Sequence, residues 1–319
     1  MFRKAVVVLL VATLLPLSSC GVRSKRGDRH DKNASGNSSG SGSENSGIGG
    51  NPAGGAQTVQ VNKSATVYGL TVNLVSVSYD PSVEASGFGG DDSPLTAEVA
   101  IENIAKSGVS GDVGFTIKFE DAGFTGGLKP KMSSLAAGDN TKATVNFQVD
   151  PGAQVGDLKS GVVLLGDSNE VQAEIPLNET GKVVDLAPKP LIDKAVTRKT
   201  GDGTVRFNEC ALRADYPNKH EQVEKDFRLI VCYLDTQNDS KYNLVLVSED
   251  KFKIRLPDDS SQSADQFIGY NSPRGKKTHD VEAAWKIRWP EGGSPGRYRL
   301  EVQLLDEGAV HKLTLNVPA

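Results

Sequence analysis

The chain has 319 residues, with 36 Lys and Arg against 40 Asp and Glu and a formal net charge of −4. This mildly acidic balance argues against a nucleic-acid binder, because phosphate contacts require clustered cations. The length exceeds what one small core needs and suits two domains once a leader and a linker are subtracted.

Arg3 and Lys4 precede an uninterrupted small and apolar run from Ala5 to Leu15, closed by Pro16. That run has the length of a secretory signal core and falls short of the ~20 apolar residues of a spanning helix. No other segment approaches a span, so the body is expected to be soluble. Leu17-Ser18-Ser19-Cys20-Gly21 follows. This stretch resembles the bacterial lipobox, in which a diacylglycerol is attached to the cysteine and the preceding peptide is removed. The resemblance implies a signal peptide at 1–19, a lipidation site at Cys20, and a body tethered outside the cytoplasm to a membrane surface. Membrane lipid is then the first partner. The residues alone also allow an ordinary secretory signal with an incidental cysteine. Losing Arg3 and Lys4 with the leader takes the formal charge from −4 to −6.

Residues 20–57 read as a disordered tether. Its first part, residues 21–32, holds five Lys or Arg and two Asp, and near anionic headgroups each cation contributes ~1 kcal/mol. From 33 to 56 the chain is Asn, Ser, Gly and Ala with almost nothing apolar, too little to offset the entropy of ordering. Gly21 to Ala56 as a flexible coil spans ~35 Å.

From Thr58 the hydrophobic period becomes two, the signature of half-buried strands. Leu70, Val72 and Leu74 alternate, and then Val75, Val77 and Tyr79 continue on the other parity. The change of parity fits either a bulge or a strand covered on both faces. Leu95 to Ile101, Val113 to Phe119, Ala143 to Val149 and Val171 to Leu177 alternate cleanly, and Val162 to Leu165 is a short apolar run. Turn-rich clusters separate them, among them Gly87 to Asp92, Ala137-Gly-Asp-Asn and Asp150-Pro-Gly. Asp185-Leu-Ala-Pro-Lys-Pro marks a boundary, since two prolines remove ladder donors and stiffen the chain. This places one sandwich domain at 58–187 and a second at 188–319.

The second half repeats the design. Phe227, Leu229, Val231 and Tyr233 share one parity, with Cys232 on the other. Phe252, Ile254 and Leu256 alternate; so do Val281, Ala283, Trp285, Ile287 and Trp289; then Tyr298 to Leu304 and Leu313 to Val317. Beyond Cys20 the remaining cysteines, Cys210 and Cys232, form an even pair, for which a disulfide is the default in an exported chain. Two buried thiols on neighbouring strands are the alternative. Phe115-Thr-Ile-Lys-Phe-Glu-Asp corresponds to Phe252-Lys-Ile-Arg-Leu-Pro-Asp. A shift of 140 residues sets Val145, Phe147 and Val149 on Trp285, Ile287 and Trp289, Gly152 on Gly292, Gly156 on Gly296, and Leu164 on Leu304. A strand ending before an Asn occurs in both halves, at Val99–Asn103 and Val231–Asn238. The expectation is two copies of one sandwich, with shared β alternation by chance as the competitor.

Ala65 to Val77, Val99-Ala-Ile-Glu-Asn and Ser134 to Phe147 resemble a widespread group of bacterial lipoproteins with a telokin-like, immunoglobulin-type domain of no assigned activity. The likeness is fair over 58–177 and loose beyond. It implies an all-β fold of two tandem immunoglobulin-like antiparallel β-sandwiches after a signal peptide and a disordered linker. No catalytic residue carries over from it.

Few residues of the chain fall in a pattern that carries chemistry. Gly36-Asn-Ser-Ser-Gly spells a nucleophile elbow inside the tether, without the strand and helix that motif needs. His30, His220, His279 and His311 lack metal-ligand spacing and read as surface residues. Asp91-Asp92 and Asp258-Asp259 lack the alternating ligands of a calcium loop and read as solvated turns. No metal and no cofactor are expected. Arg274-Gly-Lys-Lys-Thr is a basic turn, either solvated or facing an anionic polymer. Trp285 and Trp289 are core residues or an exposed aromatic platform. The function expected is a non-enzymatic interaction module of the bacterial envelope. Its partner is an envelope protein or polymer, and no nucleic acid. The alternative is a ligand-binding accessory to a sensor or transporter, holding a small molecule, metal or glycan.

Overall fold

The computed structural model describes residues 55–83, 93–105, 108–109, 113–120, 122–129, 131–132, 134–150, 155–217, 219, 221–290 and 294–318. The expected leader, Cys20, the tether up to residue 54, Asp91-Asp92, His30, His220, Gly152 and Gly292 lie outside these residues, and the last tether position, Gln57, is instead the first residue of the first strand. The described residues belong to one compact unit and are all-β, with no α-helix among them. None of their helices is long and apolar enough to cross a membrane.

The first half contributes β1 (Gln57–Val67), β2 (Leu70–Tyr79), β3 (Leu95–Asn103), β4 (Phe115–Phe119), β5 (Ala122–Lys129), β6 (Asn140–Phe147), β7 (Val162–Leu165) and β8 (Ala173–Pro176). They form one antiparallel sheet in the order β1-β2-β3-β6-β5-β4-β7-β8. Alternating residues of every strand turn inward onto a single core, with Val72, Leu95, Ile117, Val145, Val163 and Ile175 all fully buried. The sheet curls until its two edge strands meet. There Lys63 Nζ of β1 donates to the carbonyls of Pro176, Asn178 and Gly181 at 3.1, 2.5 and 3.0 Å. The parity change in β2 is a bulge, for the β2–β3 register shifts between Leu74 and Ser76.

The second half contributes β9 (Lys189–Pro190), β10 (Val196–Lys199), β11 (Gly203–Arg213), β12 (Asp215–Tyr216), β13 (Glu221–Gln222), β14 (Phe227–Asn238) and β15 (Leu244–Val247). It continues with β16 (Phe252–Arg255), β17 (Ser261–Ser263), β18 (Gln266–Phe267), β19 (Tyr270–Pro273), β20 (Lys277–Arg288), β21 (Gly296–Val302) and β22 (His311–Val317). Two principal sheets, β10-β11-β14-β20-β18 and β17-β16-β21-β22, enclose a second core around Phe207, Ile230, Phe252, Trp285 and Leu300. β12–β13 and β15–β19 are added hairpins, and β9 lies along β11.

The two strand orders coincide. Setting β1, β2, β3, β4, β6, β7 and β8 against β10, β11, β14, β16, β20, β21 and β22 reproduces every neighbour relation. The remaining strand explains why one half has one sheet and the other has two. In β5 the residues up to Gly126 pair with β4 and those from Gly126 pair with β6. In the second half that strand is broken: β17 pairs with β16, and β18 with β20. Even the bulge recurs, at Phe207/Glu209 in the β11–β14 register.

The equivalence also explains the disulfide. Cys210 and Cys232 face each other across β11 and β14, Cα to Cα 4.1 Å, and are bonded. Counting from the bulge, the same positions in the first half are Val77 and Ala97, an apolar pair. The disulfide therefore joins neighbours in one sheet rather than the two layers of the sandwich. Its loop of 22 residues predicts a loss of about 3 kcal/mol on replacing both cysteines by Ser. Replacing them by Val and Ala, the first-half pair, is expected to lose less, because the buried site then stays apolar. Urea titration of both variants checks the ranking.

The Pro-rich boundary is not an open hinge. Lys189 and Pro190 pair with Leu212 and Ala211, and Asp185 Oδ1 accepts from Thr66 N at 2.8 Å. The Phe227, Leu229, Val231 parity of β14 does not fill the second core; Ile230, Cys232 and Leu234 do. Leu229 and Val231, with Ala214, Val223 and Ala284, pack into the core of the first half. Val171 N donates to Val223 O at 2.9 Å along this seam.

Candidate functional site

Most residues singled out by sequence serve the fold. Trp285 is fully buried, and its Nε1 donates to Phe252 O of the facing sheet at 3.4 Å. Trp289 is half-buried at the rim, with the Arg228 guanidinium 5.9 Å from its ring. The two therefore form no platform. His311 is buried, which corrects the surface reading. Burial holds its pKa below the ordinary histidine value, and Nε2 lies 3.5 Å from Thr200 Oγ1. His279 is exposed, with Nδ1 3.3 Å from Asp235 Oδ1. Asp258 Oδ1 accepts from Ser260 N and Oγ, a self-contained turn. The basic turn at Arg274 is exposed on its side chains but tied by its backbone: Arg274 N donates to Asn243 O and Gly275 N to Asn238 O.

A concave mixed surface lies where the broken strand leaves β20 uncovered. β18 pairs only with Ala283 and Ala284, so the stretch from Thr278 to Glu282 borders a groove of about 650 Å³. Phe267, Ile268, Tyr270, Val281 and Tyr233 give it an apolar wall, and Asp265, Asp280, Glu282, His279 and Lys219 a polar one. Ile268 is 85% exposed. The β14–β20 register shifts beside it, and Asp280 takes a left-handed conformation there, with φ 54°. Burial disfavours the charge on Asp235, but hydrogen bonds from Asn208, the Asp280 amide and His279 hold its pKa below the usual carboxylate range.

The phenols of the groove stay protonated. Burial raises Tyr233 far above the ordinary phenol value, with Glu282 adding to the effect, and pushes Tyr270 up to about 12. Tyr270 Oη is 2.6 Å from Thr236 Oγ1. Such groups act as hydrogen-bond participants and not as nucleophiles at neutral pH. A second exposed apolar strip runs along β15 and the residues just before it, where Tyr242, Leu244 and Leu246 are 51%, 56% and 66% exposed. Among the described residues no three His, Cys, Asp or Glu side chains are grouped as a metal ion requires.

Sequence reading missed the groove because it depends on a strand break at Ala264–Asp265. Phe267 and Ile268, adjacent apolar residues outside any alternating run, were its one visible signal. No protein-family model matches the chain, and no curated protein matches its sequence.

Proposed function

We propose that the chain is a lipid-anchored, extracytoplasmic lipoprotein whose two telokin-like, immunoglobulin-type sandwiches act as a non-enzymatic binding module. The observation that carries the compartment is the Cys210–Cys232 disulfide, since such bonds persist in oxidising surroundings. The lipobox-like Leu17-Ser18-Ser19-Cys20 supplies the anchor in this reading. The seam between the halves supports a rigid body that presents surfaces to an envelope component. A small-ligand accessory is the second reading, favoured by the mixed groove beside Tyr233 and Phe267.

The anchor is tested by Cys20→Ala in a bacterial host. The wild type is expected in the membrane fraction, resistant to salt washing and carrying labelled fatty acid. The variant is expected without label and released from the membrane. A variant held as firmly as the wild type would falsify the anchoring.

A further inference from the structure

The outer face of the β16-β21-β22 sheet carries charge that the fold does not balance. Phe252, Ile254, Tyr298, Leu300, Val302, Leu313, Leu315 and Val317 point into the core. By alternation Lys253, Arg255, Arg297, Arg299 and Lys312 point out, five cations in a chain of net charge −4. Glu301 is the single carboxylate among the outward residues of these three strands.

Register places Arg255 directly opposite Arg299, and like charges facing across a strand pair are destabilising. Glu301 Oε1 lies 2.9 Å from Arg299 Nε, 3.7 Å from Arg255 Nε and 4.0 Å from Lys312 Nζ. One carboxylate is thus divided among three cations. Arg255 Nε is buried and has no hydrogen-bond partner. Arg255, Arg297, Arg299 and Thr314 line a cavity of about 310 Å³, which Asp259 also borders.

From this geometry we propose that the face binds a linear phosphate-bearing polymer, with one phosphate in the cavity between Arg255, Arg297 and Arg299. Planar guanidinium forks suit oxyanions. In the next cross-strand row Lys253 and Lys312 flank Glu301 on either side, so that row keeps a net positive charge. Ser261 and Ser263, opposite Arg255 and Lys253, add hydroxyls at its edge. None of the outward residues on β16, β21 and β22 is apolar. This favours a polymer over a lipid surface, where binding grows with inserted apolar area. The site gives a ligand class to the binding module proposed above and rests on that reading for its compartment.

The test uses the full chain and long-chain inorganic polyphosphate as probe. Binding should weaken with salt, with a log–log slope of roughly −2 to −3 for three or four neutralised phosphates. The double variant Arg255→Gln/Arg299→Gln should bind at least about tenfold more weakly, equivalent to ~1.4 kcal/mol, and show a shallower slope. Glu301→Gln, which removes the competing carboxylate, should bind more tightly. Lys159→Gln, an exposed lysine of the first half, should bind as the wild type does. A single cooperative unfolding transition and an unchanged circular dichroism spectrum establish that each variant is folded. Absence of binding, or equal binding by the double variant, overturns the site. Phosphatidylglycerol vesicles bound with the same dependence on Arg255 and Arg299 overturn the polymer in favour of a lipid surface. A chain that binds polyphosphate but is not anchored through Cys20 sinks the anchor and leaves the site standing.

Discussion

Trp285→Ala is expected to lower stability by about 3–5 kcal/mol. The side chain is fully buried on β20, opposite Ile230 of β14, with Ala283 and Ile287 as its inward neighbours on the strand. Truncation removes the largest side chain of the second core and opens a cavity between two sheets. Those sheets cannot close on it, because the hydrogen-bonded ladders on either side fix their strands. The loss of Nε1 adds a smaller effect, since Phe252 O then keeps only its bond from Ala264 N. Trp285→Phe separates the two: it keeps most of the volume and should lose about half as much. For a folded body of this size each kcal/mol moves the melting temperature by roughly 2–4 °C. The alanine variant should therefore melt roughly 10 °C below the wild type, by calorimetry or by circular dichroism. A shift of a degree or two would mean that the indole is not the centre of this core.

The strands were legible because their burial is one-sided. Leu95, Ala97, Val99 and Ile101 alternate in sequence, and they alternate in the core. β14 was harder to read, because both of its faces are covered. Leu229 and Val231 meet the first half while Ile230 and Cys232 fill the second core, so parity alone did not identify the inward face. The repeat was visible, but several of the residues that signalled it are not equivalent. Phe115 and Ile117 do match Phe252 and Ile254, each pair paired inward to the next strand of its half. Phe147, however, corresponds to Trp285, as their partners Leu95 and Ile230 show, and not to Ile287. Leu164 and Leu304 do not correspond either, because Leu304 lies beyond the end of β21. Loop insertions such as β12–β13 change the offset from strand to strand, and a single shift cannot follow them. The arginine cavity was invisible for a different reason. Arg255 is separated from Arg297 and Arg299 by four strands, β17 to β20, and only the pairing of β16 with β21 brings them together.

The residue shared most faithfully by the halves is the asparagine that ends the third strand, and its removal is expected to cost about 1–3 kcal/mol in either half. Asn103 Nδ2 donates to Leu135 O, and its Oδ1 accepts from Ala105 N, both at 2.9 Å. Asn238 Nδ2 donates to Ser272 O and its Oδ1 accepts from Ser240 N, both at 3.0 Å. In each half a glycine with positive φ then closes on the asparagine carbonyl: Gly138 N on Asn103 O, φ 79°, and Gly275 N on Asn238 O, φ 69°. Both asparagines are buried, at 0% and 1% exposure, so an alanine leaves the amide of Ala105 or Ser240 without its acceptor and takes one donor from the Leu135 or Ser272 carbonyl, of which Leu135 O keeps Val109 N at 2.9 Å. Asn103→Ala and Asn238→Ala should therefore lose similar amounts in urea titration. Asn103→Asp gives the sharper test. The carboxylate still accepts from Ala105 N but turns a lone pair toward Leu135 O, and burial disfavours its charge. Its folded pKa must then lie above the unfolded value of ~3.9. The native state binds more protons than the unfolded state in that window, so stability falls as pH rises through it. At low pH the protonated acid donates to Leu135 O and recovers part of the loss. A pH-independent difference from wild type would show that Nδ2 does not hold the turn.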